Sequence, residues 1–207
     1  LNLINNTLTK EITVGGGPEK IIVIDNKAFV ANSGGWGTDN RVSVINTQTD
    51  EQDATITVGD NPKDFVADKN GMVWVLCAGN IVYDGDYNIV SQTASALMMI
   101  NPNTNLIEKT INLGETFHPS QLEINPEKDQ LYYGGDFGTA GIFSVSITAS
   151  EKSASPIIDE YFYGLNIDPV SGLIYGLQAP TFTSAGSLKR YNASGTLIGT
   201  KKLGIGP

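Results

Sequence analysis

Short apolar runs of four to six residues alternate with turn residues along the whole chain, and they recur with a period near 44 residues. Each unit opens on a turn: Gly17-Pro18, Asn61-Pro62, His118-Pro119, and Tyr161-Phe162, where the proline is lost. Gly206-Pro207 stands where a further unit would open. Within a unit four runs follow one another, here called A to D. In the first full unit they are residues 20–24, 28–31, 41–45 and 53–58. Runs A and B are nearly continuous apolar stretches, as strands buried on both faces are. Run C alternates apolar and polar, as a half-buried strand does. The second unit repeats this at 64–67, 72–77, 96–100 and 107–111, with Asn70-Gly71 predicting a tight A–B hairpin. The third has 121–124, 130–133, 141–145 and a weak D run around Pro156-Ile157-Ile158. The fourth has 164–167, 173–176, 187–191 and 197–200. Asparagine-rich turns at 46–50, 101–105 and 192–195 join C to D.

A period in this range, filled with short strands and no helical segment, is that of propeller blades. The fold class is therefore all-β, a β-propeller of four-stranded antiparallel blades at 17–60, 61–117, 118–160 and 161–205. The first residues enter the repeat midway. LNLINNT at 1–7 matches VSVINT at 42–47 and reads as a C strand, with 9–14 as a D strand, so 1–16 is expected to be a half blade. A half blade leaves an unpaired sheet edge. The expectation is a partial ring of four full blades plus a half, with the remaining blades supplied by sequence outside these residues.

Composition narrows the partners. The chain has 207 residues, 40% hydrophobic and 17% charged, with a net charge of −9. An acidic surface repels phosphate backbones, which excludes nucleic acid, and no basic amphipathic stretch offers itself to an anionic membrane. No apolar run is long enough to span a bilayer. The single cysteine, Cys77, sits in the apolar run 72–77 and reads as a small buried hydrophobe. The single histidine, His118, argues against a histidine-rich zinc site and leaves one base for any triad.

The candidate chemistry lies in the loops. In a blade the B–C loops and D–A connections open on one face. The B–C loops here are long, at 32–40, 78–95, 134–140 and 178–186, and the 13 extra residues of the second unit fall in one of them. They carry Trp36, Tyr83, Tyr87, Phe137 and Phe182, while the D–A connections add Phe117, His118, Tyr161 and Phe162. Flat rings beside Asp39, Asp84, Asp86 and Asp136 suit a planar, partly polar ligand, a sugar or a partner protein. The competing reading has the rings packing the loops onto the rim. Asp84-Gly85-Asp86-Tyr87-Asn88 resembles the start of a calcium loop, but Ile89 and Ser95 stand where an EF-hand needs Gly and Glu. It reads as a solvated acidic turn. No metal and no cofactor are expected.

Residues 42–49 (VSVINTQT), 54–59 (ATITVG) and Asn61-Pro62 resemble the YVTN-type β-propeller repeat. FVANS at 29–33 sits where that family has its name-giving tetrapeptide, with Phe for Tyr and Ala for Thr. The layout at 32–35, 66–71 and 166–169 most resembles the surface-layer-type, YncE-like propellers of gut Bacteroidetes (DUF5074-like). The resemblance implies a ring of about seven blades and an exported protein at the cell surface, outer membrane or periplasm. It also implies, as in some relatives, company with an outer-membrane uptake system. The expected function is a non-enzymatic binding module that captures a small molecule, a corrinoid such as vitamin B12 or a glycan, or docks a partner protein. Two alternatives stand beside it. One is a propeller enzyme of lactonase or quinoprotein kind, for which His118, Glu115, Glu160 and Asp136 are the acid–base candidates. The other is a structural surface repeat without ligand.

Overall fold

In the computed structural model, which describes residues 2–135, 141–181 and 183–206, every regular element among the described residues is a strand. The first sheet is β1 (Pro18–Ile24), β2 (Lys27–Asn32), β3 (Arg41–Asn46) and β4 (Glu51–Thr57), in sequence order and antiparallel throughout. The second unit contributes β5 (Pro62–Ala67) and β6 (Val73–Cys77), then a small hairpin of β7 (Ile81–Tyr83) and β8 (Ile89–Gln92), then β9 (Ser95–Asn101) and β10 (Leu106–Gly114). Its main sheet runs β5-β6-β9-β10, so the 13-residue insertion is folded out as a separate two-stranded hairpin. The third sheet is β11 (Gln121–Ile124), β12 (Gln130–Gly134) and β13 (Phe143–Ser146). The fourth is β14 (Gly164–Ile167), β15 (Ile174–Gln178), β16 (Ala185–Tyr191) and β17 (Leu197–Ile205).

Strand β6 shows why run B reads as continuous, whereas run A of the first unit differs from the expectation, with Ile21 and Val23 exposed on β1. The alternate residues of β6 face opposite neighbours. Val73, Val75 and Cys77 pack with Phe29, Val42, Val44 and Phe65 between the first and second sheets. Trp74 and Leu76 pack with Leu122, Leu131, Tyr133 and Val145 between the second and third. Ile167, Ile174 and Tyr191 meet Tyr132, Ile142 and Phe162 between the third and fourth. Strands that are apolar on both faces are thus sandwiched between sheets. The A strands β1, β5, β11 and β14 stand side by side as neighbours, the innermost strand of each sheet in turn.

Asp and Asn punctuate the hairpins by the same device. Asp68, Asn125 and Asp168 accept backbone N–H groups of their A–B turns, and Asn46, Asn101 and Asn192 do so in the C–D turns. The second A–B turn differs from a two-residue Asn-Gly hairpin. It spans five residues between β5 and β6, because the Asp68 carboxylate collects the Asn70 and Met72 amides and the indole N–H of Trp74.

Two expected strands are not formed. Residues 2–7 make a tight loop closed by a single Asn2–Thr7 bridge, with Asn5 accepting from Thr7 and Asn6 at φ 55°. The asparagines offer the backbone local partners. Residues 8–17 form no strand, although Ile12 and Val14 still pack on Ala28, Val30 and Ile45. In the third sheet the D run is reduced to one bridge, Ile142–Ile158. Pro156 has no N–H to donate to a ladder.

Cys77 is wholly buried, and burial pushes its thiol up to about 12. It is expected to resist Ellman's reagent at pH 8 in the folded chain and to react fully in denaturant. Rapid native labelling would show that this core opens.

Candidate functional site

The four A strands each contribute a polar side chain: Lys20 on β1, Asp64 on β5, Glu123 on β11 and Asn166 on β14. Because these strands are neighbours, the four side chains form a row across four sheets. Lys20 Nζ lies 3.0 Å from Asp64 Oδ1. Asp64 also accepts the N–H of its own neighbour Phe65 at 2.8 Å and that of Leu122, on the next inner strand, at 3.1 Å. Its two oxygens are therefore filled by three donors. Glu123 is far less well served. Its one side-chain partner is Asn166, whose Nδ2 donates to Oε1 over a long 3.4 Å. Partial burial, with the charge of Asp64 nearby, pushes the Glu123 carboxyl up to about 7, only partly offset by Lys20, Asn166 and the Ile167 amide. Lys20 and Asn166 remain exposed, so the row is open to a solute.

A carboxyl pushed up toward neutrality beside an ammonium and an amide is a candidate acid–base set. In the sequence its members are ordinary polar residues scattered among the A runs, with no local sign that they meet. Reading those runs as continuous passed over them.

The acid–base candidates drawn from the sequence sit elsewhere. Glu160 is saturated by Lys189, by Tyr191 Oη at 2.7 Å and by Gln178 Nε2 at 2.8 Å. It lies beside a surface hollow of about 390 Å³ lined by residues 159–161 and 178–180. His118 ties its connection to the insertion, with Nδ1 at 2.7 Å from Ala78 O and Nε2 at 3.4 Å from Gln92 Oε1. Glu115 lies in the same connection, between β10 and β11. Among the described residues no cluster of His, Cys, Asp or Glu is arranged to hold a metal ion.

The aromatic candidates divide. Trp36, Tyr83 and Tyr87 are exposed, Trp36 completely and Tyr87 at 87%. Phe117 is placed differently from the expectation: it is partly buried, tilted against Tyr133 and Phe143 with centroids 6.2 and 5.2 Å away, and packs against the core. Phe162 is wholly buried. Asp39 also differs, being buried and engaged within its own loop. Arg41 grips it through Nε and Nη2, both at 2.7 Å, and holds its carboxyl below the usual range, helped by the amides of Asn40 and Gly16. Asp84 accepts the amides of Asp86 and Asn88 at the tip of the β7–β8 hairpin and so closes the turn. Asp86 is exposed at that tip. Asp136, Phe137 and Phe182 lie outside the described residues.

No family model and no curated protein matches the chain, so the YVTN-type likeness stands on the residues that carry it. Solved structures do match. Hydrazine synthase of Kuenenia stuttgartiensis aligns with 95% of this chain and 52% of its own, at 17% identity and a TM-score of 0.71. A quinonprotein alcohol dehydrogenase-like protein of Bacteroides thetaiotaomicron aligns over 89% and 45%, at 15% identity and a TM-score of 0.66. A gluconolactonase of Xanthomonas campestris aligns over 87% and 59%, at 11% identity and a TM-score of 0.55. At these identities the likeness is one of fold. It defines the chain as an all-β protein of antiparallel, propeller-like sheets. The chain spans about half the length of the first two structures. The expectation of a non-enzymatic module is corrected here. Neighbours of this fold include proteins named as enzymes, a gluconolactonase among them. Neither these neighbours nor the row on the inner strands supports corrinoid capture. Among the described residues no helix is long and apolar enough to cross a membrane.

Proposed function

We propose that this chain forms part of a β-propeller hydrolase that opens small cyclic esters at the inner-strand row, with Glu123 as general base. The observation that carries this reading is the Glu123 carboxyl, pushed up to about 7 while standing between filled Asp64 and exposed Asn166. The name of the Xanthomonas neighbour, a gluconolactonase, points to the same substrate class. In the proposed step the Glu123 carboxylate takes a proton from water as the water oxygen bonds to the lactone carbonyl carbon. Lys20 Nζ or Asn166 Nδ2 donates to the developing oxyanion. Collapse breaks the ring C–O bond, and protonated Glu123 returns the proton to the leaving alkoxide. The product is an open hydroxy acid.

The test is hydrolysis of glucono-1,5-lactone, corrected for its spontaneous opening. The rate is expected to rise with pH through about 7, because the base must be ionised. Glu123→Gln should lower kcat/KM by about 100-fold or more, the usual worth of a general base. Turnover that survives this substitution, or no turnover across a panel of lactones, would remove the proposal.

A further inference from the structure

The loop between β2 and β3 is built to hold one residue still. Ser33 N donates to Gly17 O at 2.9 Å, Gly34 N to Gly16 O at 2.8 Å and Gly37 N to Gly34 O at 3.0 Å. Asp39 closes it from below through Gly16 N, Asn40 N and the two-pronged Arg41 contact. The two glycine segments interlock so closely at Gly17 and Gly34 that neither position tolerates a side chain. A Cβ on Gly17 would lie 2.0 Å from Gly35 N, and one on Gly34 would lie 2.5 Å from Asp39 N, both glycines being at positive φ. At the crest of this locked loop stands Trp36, fully exposed between Gly35 and Gly37. The fold gains nothing from the ring there, yet the backbone beneath it is fixed in advance of any ligand, which is what a binding anchor requires.

We propose that Trp36 is a stacking platform for one neutral sugar ring, a binding subsite separate from the Glu123 row and independent of the hydrolase reading. Size favours this occupant. A single indole offers about 150–250 Å², against the roughly 800 Å² per partner that a stable protein interface buries. One pyranose ring matches it. Charge agrees. Asp39 is neutralised by Arg41, so the crest carries no free anion or cation to select a charged ligand. Exposed Thr38 and Asn40 on the same loop supply hydroxyl and amide groups suited to sugar hydroxyls.

The chain carries two tryptophans. Trp74 is buried, so the solvent-exposed emission belongs to Trp36. Titration with cellohexaose, xylohexaose, laminarihexaose and maltohexaose is expected to change that emission saturably for at least one sugar. Trp36→Ala should weaken binding, read by calorimetry, about tenfold or more, and Trp36→Tyr should restore most of it. Gly17→Ala keeps the ring but displaces the loop, and is expected to weaken binding too. Glu123→Gln should leave the sugar titration unchanged, whatever it does to lactone turnover. No response to any of the four sugars, a response only to phosphatidylcholine vesicles, or sugar binding unaffected by Trp36→Ala would overturn the assignment.

Discussion

Trp74→Ala is expected to remove most of the stability of the chain. The indole is wholly buried between the second and third sheets, among Leu76, Leu97, Leu122 and Tyr133. Truncating a buried Trp costs about 3–5 kcal/mol in lost contact and cavity. A second loss adds to it. The indole N–H donates to Asp68 Oδ2 at 3.0 Å, and Asp68 is itself buried. A buried acceptor left without its donor costs about 1–3 kcal/mol more. Domains of this size hold about 5–15 kcal/mol in all, so the variant should be largely unfolded or melt far below the parent. Trp74→Phe separates the two contributions, since it keeps most of the packing and loses the N–H. Urea unfolding checks all three, with Trp36→Ala as the control, expected within about 0.5 kcal/mol of the parent because its ring is exposed. A Trp74→Ala midpoint close to that of the parent would mean that the second and third sheets do not share one core.

The contrast between the two tryptophans marks what could be read from the residues alone. Trp74 was legible as core: it lies in VWVLC, a run too continuously apolar for anything but a strand sandwiched between two sheets. Trp36 was legible as exposed for the opposite reason, since glycines on both sides leave it nothing to pack against. Phe117 had no such signal. It sits in a connection of ordinary composition, and its burial depends on Tyr133 and Phe143, which only the fold brings beside it. The same limit hid the inner-strand row. Lys20, Asp64, Glu123 and Asn166 lie about 40 to 60 residues apart from one to the next, and each looks like a harmless polar residue in its own strand. Their meeting is a consequence of the fold, which sets the A strands β1, β5, β11 and β14 next to one another. Where the repeat failed, at residues 2–16 and 147–160, local chemistry won. Asparagine side chains and a proline satisfied or removed the backbone groups that a ladder would have used.

Glu123→Gln is expected to stabilise the chain at alkaline pH while abolishing the proposed chemistry. An ordinary glutamate titrates near 4.5, and Glu123 in the folded chain is pushed up to about 7. Below pH 4.5 the carboxyl is protonated both folded and unfolded, so it contributes no pH dependence. Between 4.5 and 7 the unfolded chain releases its proton while the folded chain keeps it. The folded state then binds more protons, and stability falls as pH rises. Above 7 both are ionised and the full penalty is present. The displacement alone corresponds to about 3 kcal/mol. Because this carboxyl is partly open to solvent, about 1–2 kcal/mol is the expected effect. Glutamine keeps the Asn166 contact and never ionises. The variant should therefore match the parent at pH 4 and exceed it by about 1–2 kcal/mol at pH 8, read by urea unfolding at both values. Equal stability at pH 8 would show that Glu123 titrates as an ordinary surface carboxylate, and the general-base assignment would fall with it. The two readouts are linked by one proton. The ionisation that equips Glu123 to accept a proton from water is the same ionisation that the partly buried site resists, so lactone turnover should switch on over the pH interval in which the folded state completes its loss of stability.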